Sequence, residues 1–358
     1  MSMKLLSKRL KVSDSIDAIY ETYYTKGWTD GLPIIPPTED RVEAMLGGTD
    51  HNPDHVVATI PPADTEATVE KIAINAVMAG CRPEYMPILV ASIQAMSQKQ
   101  FNLGGVQTTT AGLAPLLVVN GPITRELDIN GGTACFGPGY RANATIGRAI
   151  RLILINVGGA RPGEGTMGTF GTPGRYTYCV SENEDASPWE PLHVERGFSK
   201  DTSTATVIAN AGFIGFSDLS SKDGRNMIKS MAEILCNPGN DGFCSTGPDR
   251  DYESLLLFSP ERARILADSG FTKRDIQEAL FNMVRIRWGD VVGRNYWGNR
   301  TLARWIDEED PNMLVPMVRK PENIVILVVG GPAGKQWAWA KTFSTSHSAT
   351  VKIEQPGS

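Results

Sequence analysis

Apolar positions recur at helical spacing along several stretches of the chain and run almost unbroken along others. Ile16, Ile19, Tyr20 and Tyr23 fall three or four residues apart, so 13–24 is expected to be a helix, capped by Ser13 or Asp14 and ended by Gly27. Pro36 and Pro37 force extended backbone, and Thr38 stands ready to cap a helix over 39–46. Val69, Ile72, Ala73 and Val77 share one face of a helix expected over 65–78, which Gly80 stops. Pro83 suits the first turn of the next helix, through 84–96. The most apolar helix is expected over 142–157, with Ile146, Ala149, Ile150, Ile153 and Leu154. Further helices are expected over 221–235, 260–269 and 272–284. Short apolar runs at 116–120, 255–258 and 323–329 read as buried strands, as do 176–180 and 205–209, while 346–353 alternates weakly, like an edge strand. Residues 160–174 are rich in glycine and polar side chains and predict a loop, for binding or merely mobile. Strands separated by helices predict an α/β fold (mixed α/β or α+β), with the strand order left open. The organisation expected is one large domain over 1–358, or two sub-domains, 1–160 and 161–358, without repeats.

Composition narrows the function. The 358 residues carry 35 basic and 40 acidic side chains, a net charge of −5, with no run of five like charges, which argues against nucleic-acid binding. The longest apolar runs fall far short of the roughly 20 residues a membrane span needs, so no membrane partner is expected. The basic start lacks the apolar stretch of a secretory signal, and five cysteines without one suggest reduced thiols and a cytoplasmic protein.

Four segments carry candidate chemistry. In the first, Ala134-Cys135-Phe136-Gly137-Pro138-Gly139-Tyr140-Arg141-Ala142-Asn143 runs into a helix. Its glycines permit close backbone approach, and a helix N-terminus offers free N–H groups to an anion. Gly137, Gly139, Arg141 and Asn143 are therefore candidate substrate-binding residues, against the plainer reading of a tight turn. GPGYRA fits the spacing of a dinucleotide loop, but no clear strand precedes it and no acid follows about 20 residues on, so NAD is not expected. In the second segment, Glu182, Glu184, Asp185, Glu190 and Glu195 surround His193 after a predicted strand. Carboxylates and an imidazole at a strand end suit acid–base catalysis, or a divalent metal through Glu190 and His193, and they equally suit a charged loop.

The third candidate is a cysteine set. Cys81, Cys135 and Cys179 each sit at the end of a predicted element. Three thiolates would hold an iron–sulfur cluster or zinc, or Cys135 or Cys179 would act as a nucleophile. No C-x-x-C supports the metal reading, and buried cysteine is often a plain apolar residue. Cys236 and Cys244 flank a turn and look less suited. The fourth, Val329-Gly330-Gly331-Pro332-Ala333-Gly334-Lys335, follows a buried strand as a P-loop does. Val329 replaces the first glycine and Gln336 the final Ser/Thr, so ATP is not expected. Trp337, Trp339 and Phe343 beside it would cover a pocket, fill a core or meet a second subunit. The hydroxyls of Thr108, Thr109 and Thr110 are polar enough to meet a substrate, with Thr109 the candidate; Trp28-Thr29-Asp30-Gly31 reads as an ordinary turn.

GWTDGLPIIPPTEDRVEAML, AGCRPEYMPILVA, CFGPGYRANATIGRAIRL and ENEDASPWEPLHVERGF resemble blocks of a large bacterial family associated with UGSC-motif thiol and selenol proteins, and the resemblance covers roughly residues 26–345. It implies an intracellular enzyme, with Cys81, Cys135, Cys179, Glu182, Glu184 and His193 in the family's characteristic blocks. The chain has no UGSC; its nearest string is Phe243-Cys244-Ser245-Thr246. A thiol–selenol redox role is therefore not carried over.

Together these features predict a cytoplasmic enzyme acting on a small polar, anionic molecule by lyase or hydro-lyase chemistry. Arg141 would hold the anion, Glu182, Glu184 and His193 would move protons, and Cys135 or Cys179 would attack unless the three cysteines hold a metal. Competing expectations are a thiol-dependent reductase that cleaves a carbon–heteroatom bond, and a non-enzymatic metal or ligand carrier. A homo-oligomer is compatible with the aromatic C-terminal segment.

Overall fold

The computed structural model describes residues 5–237, 251–292 and 304–357; Cys244 and its neighbours 243–246 lie outside these. The chain runs α1 (Ile16–Thr25), α2 (Glu39–Leu46), β1 (Val56–Ile60), β2 (Thr65–Thr68), α3 (Val69–Ala79), α4 (Met86–Ser97), α5 (Leu103–Thr108), β3 (Ala114–Asn120), α6 (Ile123–Glu126), α7 (Arg141–Asn156), β4 (Cys179–Ser181), α8 (Leu192–Glu195) and β5 (Thr204–Ser217). It continues through α9 (Gly224–Leu235), β6 (Ser254–Phe258), α10 (Pro260–Asp268), α11 (Lys273–Met283), β7 (Arg285–Arg287), α12 (Trp288–Val291), β8 (Leu314–Pro316), β9 (Ile324–Val328), β10 (Gln336–Thr342) and β11 (Ala349–Lys352).

The fold is α/β, built on a mixed seven-stranded sheet curled into a half-barrel. Its order is β4-β3-β5-β10-β6-β9, and β11 lies beside β5. Two pairs are parallel, β3 with β4 and β6 with β9; the other pairs are antiparallel. β5 is long enough to be shared. Its first half pairs with β11 and its second half with β10 on the same side. The sheet takes β3 from before residue 160 and its other strands from after it.

Strict alternation divides the core. Leu117 and Val119 of β3 face the cluster built by α3, α4 and α7, whereas Leu116 and Val118 face a cluster on the opposite side. Leu256, Phe258, Ile324, Ile326 and Val328 pack on α9, α10 and α11, while Leu255, Leu257, Val325 and Leu327 join Leu116 and Val118. Strands buried on both faces have no polar positions to spare, so they read as unbroken apolar runs. Cys135, Tyr178 and Leu192, with the half-buried Phe136, complete the opposite cluster.

Several expectations are corrected in detail. The helix expected over 65–78 begins only at Val69. Thr65–Thr68 instead pairs antiparallel with β1 as β2. Its threonines are β-branched, and Thr68 turns the chain into α3 by accepting the Lys71 N–H at 3.3 Å. The first helix is capped by Ser15, not by Ser13 or Asp14. The strand expected at 176–180 is Cys179–Ser181, because Pro173–Arg175 winds into a 3-10 turn ahead of it. Trp337 and Trp339 lie in β10 and are core residues.

Candidate functional site

β3 ends at Asn120 and β4 at Ser181, side by side and pointing the same way. In open α/β sheets ligands gather outside the carboxyl ends of such strands. There the segments 121–132, 181–185 and 200–201, with Tyr140, enclose a cavity of about 330 Å³. Gly131 lets two walls meet: a Cβ there would stand 2.3 Å from the Ser181 carbonyl oxygen.

Asn120 organises the floor. It is fully buried, and its Nδ2 donates to Glu182 Oε2 at 2.8 Å and to Glu184 Oε1 at 2.9 Å. The Gly121 N–H also donates to Glu184 Oε1, at 2.8 Å, and the Leu192 N–H to Glu182 Oε2, at 2.8 Å. The free oxygen of Glu182 faces Lys273 Nζ at 3.6 Å. Lys273 also reaches Glu195 Oε1 at 3.0 Å and donates to the Glu190 carbonyl at 2.8 Å. Burial pushes the Glu195 carboxyl upward from its ordinary value, and Lys273 pulls it back in part.

His193 is completely buried behind Glu184. Its Nε2 lies 3.3 Å from the Lys200 carbonyl, which can only accept, so Nε2 is the protonated nitrogen in this contact. Nδ1 is 3.9 Å from Glu184 Oε1 and has no hydrogen-bond partner. Asn120 Oδ1 and Glu182 Oε1 are likewise buried without one. Three buried polar atoms without a hydrogen bond in one network are unusual, and of them only Glu182 Oε1 has an ion-pair partner of fixed charge, Lys273. The lining is acidic: Asp128, Glu182, Glu184, Asp185 and Asp201 outnumber Arg125 and Lys200, and Arg125 is paired with Asp185.

The structure thus brings Glu182, Glu184 and His193 together, as the sequence suggested. It gives the glycine-turn residues other work. Arg141 donates to the Gly80 carbonyl at 2.9 and 3.2 Å, closing the end of α3. The Asn143 side chain binds the main chain of Asn130, Cys135 and Cys179. The Gly137 N–H donates to the Ala134 carbonyl, and Gly139 adopts φ +124° in a turn. Thr109 ends α5, and its Oγ1 accepts from the Ala111 N–H at 3.2 Å. Of the block 134–143, only Tyr140 lines the cavity.

The cysteines are buried separately from this cavity. Cys81 Sγ donates to the Thr145 carbonyl at 3.3 Å, and burial pushes its thiol up to about 12. Burial pushes Cys135 up to about 11, against the pull of surrounding N–H groups, and raises Cys179 as well. All three are neutral thiols at pH 7, and the thiolate is the nucleophilic form, so burial weighs against the attack expected of Cys135 or Cys179. Among the described residues no group of three His, Cys, Asp or Glu side chains is placed to hold a metal ion, and the set Cys81, Cys135 and Cys179 is no exception.

Sequence reasoning missed Asn120 and Lys273. Asn120 left one signal, a polar residue closing an apolar run. Lys273 left another: it is the first residue of α11, where a cation opposes the helix dipole. No helix of the described residues is long and apolar enough to cross a membrane. Compared with protein-family models, with curated proteins and with solved structures, the chain shows no match.

Proposed function

We propose that the cavity at the carboxyl ends of β3 and β4 is the active site of an acid–base lyase, with Glu184 as its proton-transferring group. The observation that supports this reading most is the position of Glu184. It lines the cavity, is fixed by two N–H donors on one oxygen, and has the unpartnered Nδ1 of His193 behind it. His193 is a positioning residue, because it does not line the cavity itself. Glu182 neutralises Lys273 and supports the floor.

In a dehydration, Glu184 takes a C–H proton and the electron pair forms the double bond. The hydroxide departs with a proton from Lys200, which also lines the cavity, so water leaves. The acidic lining alters the substrate expected. An anion held by Arg141 does not suit this cavity, whereas a neutral polyhydroxy compound or a small amine does. The role expected of Cys135 or Cys179 as nucleophile is not part of this mechanism.

The test uses the whole protein in D₂O with a panel of small polyols, hydroxy acids and amino alcohols, followed by mass spectrometry. The expected result is deuterium gain or loss of water for a neutral or cationic compound, slowed about a hundredfold or more in Glu184→Gln. A panel left unchanged by the native protein, or turned over equally by Glu184→Gln, would remove the proposal.

A further inference from the structure

At the other end of the same two strands lies a larger cleft, of about 830 Å³, under the loop 161–176. Arg175 marks the position: its Nε donates at 2.8 Å to the carbonyl of Leu113, the residue before β3. Three guanidinium groups line the cleft, those of Arg151 on α7, Arg161 and Arg175.

These cations have few partners. Arg151 is only 9% exposed and donates from one terminal nitrogen to the Ala160 carbonyl at 2.9 Å. Arg175 donates to the Leu113 carbonyl and to Thr166 Oγ1. Arg161 has a buried Nε without a partner, and its nearest carboxylate, Glu164, is 3.9 Å away and largely exposed. The one carboxylate among the lining residues is Asp30. Arg148 grips it with two nitrogens, at 2.8 and 2.9 Å, and keeps its carboxyl below the ordinary value despite burial. Burial lowers Arg151 to about 10, and the charge of Arg175 acts in the same direction. Both guanidiniums remain positive at neutral pH.

Arg175 repels the buried Arg151, Asp30 offsets this only in part and is already held by Arg148, and a bound anion relieves the remaining cost. Guanidinium forks match the paired oxygens of phosphate and carboxylate. Part of the remaining wall is apolar and aromatic, from Ile155, Met167, Phe170 and Tyr176, with threonines between them, and Phe170 is 99% exposed. A cleft of this size suits an organic ligand and not only an inorganic ion.

We infer that this cleft binds a small organic molecule through a phosphate or carboxylate group, forked by Arg151, Arg161 and Arg175, with its apolar part on Phe170 and Tyr176. The inference is independent of the lyase reading, since the two cavities share no lining residue. It also places the anion preference expected from the sequence away from Arg141.

Isothermal titration of the full chain at low salt, with pyrophosphate and succinate as separate probes, tests it. The expected result is saturable one-to-one binding of at least one probe, about tenfold weaker in Arg161→Gln and abolished in Arg151→Met. Binding of pyrophosphate alone assigns a phosphoryl ligand, and binding of succinate alone a carboxylate. Arg161 is 39% exposed in its side chain, so its variant keeps the fold if Arg151→Met does not. No saturable binding of either probe, or an affinity unchanged in Arg161→Gln, overturns the inference.

Discussion

The amide of Asn143 makes four hydrogen bonds to the main chain. Its Oδ1 accepts the Asn130 N–H at 2.8 Å, and its Nδ2 donates to the carbonyls of Asn130, Cys135 and Cys179. One residue thus fastens the turn before Gly131, the glycine turn and the start of β4 to the first turns of α7. Removing it takes a partner from the Asn130 N–H and from the carbonyls of Cys135 and Cys179, and each such loss costs about 1–3 kcal/mol where no other partner replaces it. Asn143→Ala is therefore expected to lose about 3 kcal/mol of stability in urea unfolding, and a loss under 1 kcal/mol would show that the loops hold without it. The sequence made Asn143 a candidate ligand because it follows Gly-Pro-Gly at a helix start. That pattern marks backbone N–H groups and small residues, and it is the same whether the amide turns toward a ligand or back onto its own loops. The acidic block was legible in a different way. Glu182, Glu184 and His193 stand within twelve residues of one another, so they could be gathered by eye. Their unequal roles could not be read, because these depend on Asn120, 62 residues away in sequence from Glu182.

At the scale of elements, patterning found most helices and the apolar strands, and failed where two periodicities meet. Thr65–Thr68 carries no breaker ahead of α3 but pairs with β1, since that pairing satisfies backbone groups that a further helical turn would otherwise hold. β10 escapes the pattern as a strand because its alternating Trp and Ala follow a glycine loop and read equally as a pocket cover, a core segment or a subunit contact. α11 shows how an element serves a site. Thr272 and Asp275 form a reciprocal cap, which fixes the first turn and carries Lys273 inward between Glu182 and Glu195. The strong cap offsets the unfavourable position of a cation at a helix N-terminus. Lys273→Met leaves two carboxylates facing each other in a buried site, and breaking such a pair costs about 3–5 kcal/mol. The double variant Lys273→Met with Glu182→Gln is expected to recover part of that loss. Urea denaturation of both variants checks this, and a double variant no more stable than the single one would mean that the charge on Glu182 is not what Lys273 neutralises.

Across the whole molecule, β3 and β4 present an acidic cavity at one end and an arginine-lined cleft at the other, with α7 supplying Arg151 to the latter. A second cluster joins distant parts of the chain. Arg196, just after α8, lies 3.2 Å from Glu253, just before β6. Glu253 also accepts the Ser348 N–H and hydroxyl, at 2.8 and 2.9 Å, ahead of β11. His347 stands beside it, with Nδ1 3.9 Å from Glu253 and Nε2 3.8 Å from Asp251. Burial would raise the Glu253 carboxyl, but His347, Arg196 and Ser348 together hold it below the ordinary 4.5. Glu253 raises the His347 imidazole above 6.5 against the opposing effect of burial, and Asp251 adds to the rise. The signs then follow from linkage. The depressed Glu253 contributes stability above its unfolded value and loses it as pH falls through its folded value. The raised His347 contributes stability fully below 6.5 and loses it as pH rises through its folded value. Melting temperature is therefore expected to be highest between about 5 and about 6.5 in the contribution of this cluster, and lower on both sides. His347→Gln removes the alkaline limb and, because His347 also helps hold the Glu253 carboxyl down, weakens the acid limb. Its melting temperature should fall below that of the native protein near pH 6 and converge with it as the pH passes through the raised imidazole value. A gap that stays constant from pH 6 to pH 9 would mean that His347 acts there by packing and not by its charge.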